Sequence, residues 1–549
     1  MIEPNITNNS SLTIPKQFFG THINTPTAQW SDIGHGAIRL WDTQTTWRLI
    51  EPTKGNFNWT IMDSYVDYAQ LHGLEVLYVL GQAPNFATGG VKGTGTPADW
   101  SSYNNLNPNN QDWIDYITAV ATKYKGRIQA YEIWNEPDVT YFWTGTIAQM
   151  VNLCKVAYNV IKSIDPNAKV LSPSYTHDNI SMLDSFLSSG SKGYFDIGAV
   201  HLYATSPESM IDIANQFKYA FNKNNIDCPL WNTESGYGGY YNNGELKDGA
   251  FTLDDINLMP DDLSVAYITR YFLCSLLSGV ERSYYYMADI QRNRLRLVDP
   301  KTRAILPAGI AMKKLSDLLT GATISDLAKI DNMYMVIAQN KNKSYAFMWT
   351  EDGKTTIWQS PQPSRVTNTQ TPLGKLSTPM FGIVNINQSP IIVHGLPTSN
   401  GVPCFRIPLS KGITPVTNLI TNGDFNNGSN GYGLTHIGNA TWDFSKGYAV
   451  CTLNGQVSNI DLWVNVKPNT LYALTWKIDG MTDSGNGGNV TCSEYNASWQ
   501  PISNGGHYTI SSGVTFTTKS TTSQVYLNLG SGGLTTGKVA FDDIVLAKV

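Results

Sequence analysis

The feature that most constrains this chain is a rhythm. From about residue 17 to 320, short apolar runs alternate with amphipathic stretches at helical spacing. Parallel neighbours in a sheet need crossover connections, usually helices, so this alternation implies a parallel sheet. The expected strands are Phe18 to Ile23, Ala37 to Trp41, Glu75 to Gly81, Ala130 to Asn135, Val170 to Pro173, Ile197 to Tyr203, Leu230 to Glu234 and Arg282 to Met287. Between them lie helical patterns such as Met62 to Leu71, Trp113 to Tyr124, Ile147 to Ile164, Met210 to Asn222 and Leu263 to Leu277, with a last one near Ala308 to Leu319. Eight such strands over roughly 300 residues predict an α/β fold of the (β/α)8 TIM barrel type, whose chemistry sits at the strand C-termini.

After Gly321 the pattern changes to short alternating strands and Pro- and Thr-rich turns, and from Val416 helical patterns are absent again. The expected domains are a barrel over 1–320, a small β domain over 321–412 and a C-terminal β-sandwich over 413–549. A hydrophobic fraction of 41% with 15% charged residues excludes a disordered or coiled-coil chain. With a net charge of −5 and no basic block, nucleic acid is not the expected partner. No apolar run reaches the roughly 18 to 20 residues that span a bilayer, so no membrane partner is expected. The opening Met1-Ile2-Glu3-Pro4-Asn5 lacks the charged and apolar regions of a signal peptide. The 29 Tyr and 15 Trp beside abundant Asn, Thr, Ser and Gly suit neutral polyhydroxylated ligands.

Two strand ends carry the sharpest chemistry. In Tyr131-Glu132-Ile133-Trp134-Asn135-Glu136-Pro137-Asp138 an apolar strand ends abruptly in a carboxylate, and the proline helps to turn it outward. In Pro229-Leu230-Trp231-Asn232-Thr233-Glu234-Ser235 a second strand ends the same way. These are strands four and seven of the expected barrel, whose ends face one another across the mouth. A pair of carboxyls flanking one bond is what glycoside hydrolysis requires. Arg39 near the end of strand two, and Tyr203 and His201 at the end of strand six, bring a cation and further hydrogen-bonding groups to strand ends of the same barrel. Trp134, Trp231 and Tyr285 are candidate stacking platforms and His22 a candidate hydroxyl binder. Glu132, Glu281 and Asp289 are read as structural. The histidines show no metal-ligand spacing, and two-carboxylate hydrolysis uses no cofactor.

The Trp-Asn-Glu-Pro strand end and the later Thr-Glu strand end resemble clan A glycoside hydrolases, family 39 most closely, a group that includes β-xylosidases, iduronidases and exopolysaccharide endoglycosidases. The resemblance covers roughly residues 15 to 410. It implies that Glu136 is the general acid/base, that Glu234 is the nucleophile and that Asn135 bonds the sugar 2-hydroxyl. Tyr284-Tyr285-Tyr286 stands where clan A enzymes often carry a tryptophan. The two ends of the C-terminal sandwich, Asn418 to Phe425 and Val539 to Leu546, resemble carbohydrate-binding modules of the family 4 and 22 type. That likeness implies a structural Ca2+ held by Asp424 with Asp543 or Asp542, hard oxygen ligands. Within this module Trp442, Trp463, Trp476, Tyr495 and Trp499 are candidate sugar platforms, and Cys451 and Cys492 are candidates for a disulfide.

These readings converge on a secreted, retaining glycoside hydrolase acting on a polysaccharide, with endo cleavage of an exopolysaccharide favoured. An exo-acting β-xylosidase is the enzymatic alternative. A non-catalytic carbohydrate-binding protein on a barrel scaffold is the alternative from another class.

Overall fold

The computed structural model describes residues 13–24, 31–88, 108–236, 258–290, 294–330, 332–340, 343–359, 366–377, 379, 383–396, 419–423, 425, 427–434, 438–445, 448–477, 489–502, 507–510, 513–531 and 534–548. The chain divides into two compact units. One comprises Met1–Leu327, Ala338–Lys341 and Pro372–Lys375, and the other Ala328–Ile337, Asn342–Thr371 and Leu376–Val549.

The first unit is the barrel. Its strands are β1 (Phe19–Thr21), β2 (Ala37–Leu40), β3 (Glu75–Leu80), β4 (Ala130–Ile133), β5 (Lys169–Leu171), β6 (Gly198–His201), β7 (Leu230–Ser235) and β8 (Arg282–Tyr285). They pair in parallel in the order β5-β4-β3-β2-β1-β8-β7-β6. Bridges from Leu171 to Ile197 and from Tyr175 to Val200 bring β5 and β6 together where the ring closes. Helices Thr60–His72, Asn110–Lys123, Ile147–Ile164, Ile180–Phe186, Ser209–Lys223 and Asp261–Leu277 lie on the crossovers, and Pro307–Leu319 follows β8. The longest of them starts on a capping box, in which the Thr146 side chain and Gln149 satisfy each other's backbone N–H groups.

The lower barrel interior is filled by Ala37, Leu77, Ala130, Leu171, Ile197, Ala199, Trp231 and Tyr284. Small residues here make room for two large rings. At Gly20 a Cβ would lie 2.6 Å from Cδ1 of Tyr284, so a glycine is what lets that ring lie across the barrel.

The rest of the chain is built of antiparallel β-sheet, of which the start of β9 and the end of β10 count with the first unit and the remaining strands with the second. Strands β9 (Thr323–Ile330), β10 (Met333–Asn340), β11 (Lys343–Thr350), β12 (Thr356–Gln359), β13 (Val366–Gln370), β14 (Leu376–Ser377), β15 (Ile383–Ile386) and β16 (Ile391–Gly395) form a six-stranded and a two-stranded sheet. Met335, Ile337, Met348, Trp358 and Ile386 lie in their core.

Strands β17 (Thr441–Asp443), β18 (Ala449–Asn454), β19 (Asn459–Asn465), β20 (Leu471–Lys477), β21 (Asn489–Tyr495), β22 (His507–Ile510), β23 (Gly513–Thr517), β24 (Gln524–Gly530) and β25 (Thr536–Lys548) form a five-stranded sheet, β17-β18-β25-β20-β23, and a four-stranded one, β19-β24-β21-β22. Buried and partly exposed residues alternate along β21 and along most of β24, as expected of a sheet with one face in a core. Cys451 and Cys492 are separate buried thiols on different sheets, so the pairing considered from sequence is not made. Asp424 lies outside the described residues, as does the side chain of Asp543, and the calcium expectation falls on them. Among the described residues, no helix is long and apolar enough to cross a membrane.

Candidate active site

At the end of β4 the backbone leaves the sheet in an unusual way. Trp134 and Glu136 both take left-handed conformations, with φ of 68° and 42°, and Asn135 between them bridges to Ser174. For residues other than glycine such conformations cost about 1–3 kcal/mol each and persist only where the surroundings impose them. Here the Trp134 backbone N–H donates to the Leu80 carbonyl at 2.8 Å, its indole N–H donates to the Phe142 carbonyl at 3.0 Å, and the Val139 N–H donates to the Glu136 carbonyl at 3.0 Å. The turn projects Glu136 to the barrel mouth, where its side chain is 14% exposed.

Strand β7 presents its carboxylate by another device. On β6, Val200 pairs with Asn232 but the next residue, His201, pairs with Glu234, so Thr233 is an extra residue. The register against β8 shifts over the same stretch. A bulge of this kind bends the strand, re-aims the following side chain and leaves the extra residue out of the ladder. The Thr233 carbonyl is met by Nε2 of His22 from the end of β1, at 3.2 Å, which makes that nitrogen the N–H donor. Burial first, and then the Arg39 charge, hold the His22 pKa well below its ordinary value, so the ring is neutral. Its Nδ1 has no partner among the described residues.

The two glutamates meet across the mouth. Carboxylate oxygens of Glu136 and Glu234 and a ring nitrogen of His201 all lie within 4.8 Å of one another. Their surroundings differ. Glu234 Oε2 accepts from Nη1 of Arg39 at 2.6 Å, and Oε1 accepts from the Tyr203 hydroxyl at 2.8 Å. Glu136 Oε1 lies 2.7 Å from Nδ1 of His201. Arg39 is fully buried and also donates to both oxygens of Glu132, at 3.0 and 2.6 Å, and to Oδ1 of Asn135 at 2.7 Å. Such fork-to-carboxylate pairing fixes the guanidinium plane, so its third nitrogen is aimed at Glu234.

Charge and burial compete throughout this cluster. Burial works against the Arg39 cation, but Glu132 and Glu234 hold its pKa above the ordinary value. Burial pushes the Glu234 carboxyl above its ordinary value, and the His201 and Arg39 charges offset only part of that rise. The two donors on its two oxygens suit the ionised form. Burial and then the Glu234 charge push the Tyr203 phenol well up, so it stays protonated and donates. For His201 burial disfavours the cation, yet the Glu234 charge and the bond to Glu136 outweigh it and raise the pKa. A cation seated among these three residues would have to displace the bonds from Arg39, Tyr203 and His201. The arrangement therefore suits proton transfer and nucleophilic attack by carboxyls on opposite sides of one bond.

Glu136, Glu234, Asn135, Arg39, Tyr203, His201 and His22 thus come together, with His201 on Glu136 rather than on Glu234. Three candidate platforms do not present a face to the mouth. Trp231 is the second residue of β7, about 10 Å from Glu234 at ~3.3 Å per residue, and fills the lower barrel interior. Trp134 is buried between Trp113 and Trp143, with ring centroids 6.1 and 5.1 Å away. Tyr285 is buried and donates its hydroxyl to the Leu295 carbonyl at 3.1 Å. Successive residues of an extended strand point to opposite sides, and it is the next residue, Tyr286, that packs on His22 with centroids 5.0 Å apart and donates to Asp42. Glu132, read from sequence as structural, is the residue that holds Arg39, whereas Asp42 and Tyr286 were not assigned to the site. Glu132 had one available signal, a charge inside a strand apolar enough to be buried, which demands a partner.

The family model for glycosyl hydrolases family 39 matches residues 30–239, a segment that includes both glutamates. Among solved structures, the chain is similar to a family 39 glycoside hydrolase from the gut symbiont Bacteroides cellulosilyticus WH2. That likeness has 17% identity and a TM-score of 0.55, covering 69% of this chain and 81% of that one. It is also similar to a family 39 β-xylosidase from Caulobacter crescentus, at 15% identity and a TM-score of 0.50, over 71% of this chain and 98% of that one. With that match running along its barrel, the chain is a clan A glycoside hydrolase, an enzyme of the retaining type, and the family it matches is family 39.

Proposed function

We propose that the enzyme is an endo-acting hydrolase of an extracellular polysaccharide, with Glu136 as general acid/base and Glu234 as nucleophile. The observation that carries the assignment of roles is the approach of the two carboxyls to within 4.8 Å, with Arg39 and Tyr203 on one and His201 on the other. Retaining glycosidases hold their carboxyl groups about 5–5.5 Å apart, whereas inverting ones leave room for a water between them. In this reading Glu136 gives its proton to the glycosidic oxygen as Glu234 attacks the anomeric carbon, and the C–O bond to the leaving sugar breaks. Water, deprotonated by Glu136, then releases the glycosyl group from Glu234. Asn135, its carbonyl oxygen taken by Arg39, keeps its amide N–H groups for a sugar hydroxyl.

The polymeric substrate is inferred from the C-terminal sandwich, read as a carbohydrate-binding module. Such a module raises the local concentration of the barrel on a glycan, which benefits a polysaccharide hydrolase most. Secretion follows from a substrate of that kind. A second reading, exo-acting hydrolysis of β-xylosides, is favoured by the likeness to the Caulobacter β-xylosidase. Incubation with a panel of plant and bacterial polysaccharides separates them, with products read by size and the anomeric signal followed by NMR at early times. Oligosaccharides of retained configuration support endo action. Release of monosaccharide alone supports the exo reading, and inverted product rejects the mechanism.

A further inference from the structure

The outward face of the four-stranded sheet in the C-terminal sandwich carries a cluster of rings that the core does not use. Ile460, Leu462 and Val464 of β19 and Val525, Leu527 and Leu529 of β24 point into the core, so the residues between them point out. In the middle of that face Trp463 stands opposite Tyr526, and Tyr526 opposite Ser493. The Trp463 ring lies 4.7 Å from Tyr495, 4.8 Å from Tyr526 and 4.7 Å from Trp499, measured between centroids.

Cross-strand aromatic pairs can serve a sheet simply by packing. Two observations go beyond that. Trp463 and Trp499 stay 40% and 56% exposed, a combination unusual for large rings in contact. Trp499 is not a strand residue but is brought in by the turn after β21, in a left-handed conformation with φ of 61°, and its N–H donates to the Asn496 carbonyl at 3.0 Å. Its plane stands at 68° to that of Trp463, so the two rings make a corner open to solvent.

Along β24 from Tyr526 the face runs about 13 Å to Gly530, at ~3.3 Å per residue. Gly530 pairs with Asn459 on one side and Asn489 on the other. A Cβ at that position would lie 3.2 Å from Oδ1 of Asn528, 3.5 Å from Cβ of Asn459 and 3.6 Å from Oδ1 of Asn489, so the glycine leaves a notch among three amide side chains. Between notch and corner lie Thr491 and Asp461, the latter largely covered and in contact with Tyr526. Among the described outward side chains of β19, β21 and β24, Asp461 is the one charged group, and none is a cation.

We propose that this face binds a neutral polysaccharide chain, with one sugar ring stacked in the Trp463–Trp499 corner and a later one hydrogen-bonded at the Gly530 notch. Apolar faces of sugar rings match exposed aromatic faces, and their hydroxyls match amides that both donate and accept. The lack of cations among the described outward side chains argues against an anionic glycan, nucleic acid or an anionic membrane. The inference rests on the reading of the sandwich as a glycan-binding module and gives that reading a site.

The test is retardation of the full chain in native gels cast with arabinoxylan, mixed-linkage β-glucan or glucomannan. Polygalacturonate serves as the anionic control, and E234Q is the background so that the polymers stay intact. The expected result is retardation by at least one neutral polymer and none by polygalacturonate. In W499A the affinity for that polymer falls about tenfold or more, the loss expected for an aromatic hot spot, with an unchanged melting temperature. W463A should behave alike, and because Trp499 sits on a turn, W499A keeps the test valid if W463A fails to fold. Retardation by no neutral polymer overturns the proposal, as does equal retardation of W499A and its parent. It is also overturned if W499A converts a solution dimer to monomer without changing retardation, which would assign the face to a second copy of the chain. Polymer cleavage by the wild type with no dependence on Trp499 rejects this site but leaves the catalytic reading. Trp499-dependent binding with no cleavage by the wild type does the reverse.

Discussion

Arg39 is held from behind by Glu132 and reaches forward to Glu234 with its remaining nitrogen. Its charge lowers the Glu234 pKa against the upward push of burial. Replacing it as R39Q therefore raises the pKa of Glu234, and because the proposed nucleophile must act ionised, the acid limb of the kcat/KM profile is expected to move to higher pH. At the pH optimum the loss of one charge-assisted hydrogen bond, about 1.5–3 kcal/mol, lowers kcat/KM by roughly 10- to 150-fold. A pH–rate profile of R39Q with an acid limb unmoved from wild type would show that Arg39 does not tune Glu234. His22 acts on the same carboxylate through the backbone. H22F removes the donor from the Thr233 carbonyl, and the expected effect is a fall of about tenfold in kcat with KM little changed. H22Q, which keeps a donor, should recover part of it, and steady-state kinetics of the pair checks both.

The strand ends of β4 and β7 are where sequence and structure agree most closely. Each is an apolar run stopped at a carboxylate, and a barrel leaves such a residue nowhere to go but the mouth. The direction of a ring along a strand was less legible. Trp231 and Glu234 share β7, yet the bulge at Thr233 breaks the two-residue period on which facing is judged. Tyr285 and Tyr286 differ by one residue at the end of β8, where a shift of one exchanges inside for outside. Glu132 was legible as a structural charge but its partner was not, because Arg39 lies 93 residues away in sequence. Trp231 belongs to the barrel's packing, and W231A is expected to cost about 3–5 kcal/mol of stability, as for other large-to-small core changes. Denaturant unfolding measures that loss, and kinetics on the surviving folded enzyme should show KM unchanged. A raised KM without loss of stability would return Trp231 to the binding site.

Taken as a whole, the barrel buries two neutral imidazoles whose charged forms it disfavours. Burial holds His22 well below its ordinary pKa and, as the larger cause, brings His35 down to about 3. Below about pH 6.5 the unfolded chain takes up protons at these sites that the folded one does not, so stability falls as pH falls through that value. His201, raised by its carboxylate neighbours, acts in the opposite sense: its contribution is present below the ordinary histidine value and fades as pH rises through its folded pKa. Thermal unfolding followed from pH 7 to 4.5 should show Tm falling, with a shallower fall in H35Q. The Arg39 and Tyr203 bonds on Glu234, with His201 on Glu136, support a mouth in which one carboxyl gives a proton while the other attacks carbon, and that division is the central claim. The most direct test takes E136Q, supplies the aryl glycoside of whichever sugar the wild type releases, quenches in acid and maps the peptides by mass. With a leaving group that needs no acid, a glycosyl adduct should accumulate on the peptide carrying Glu234. An adduct on another residue, or turnover with inverted configuration and no adduct at all, would contradict it.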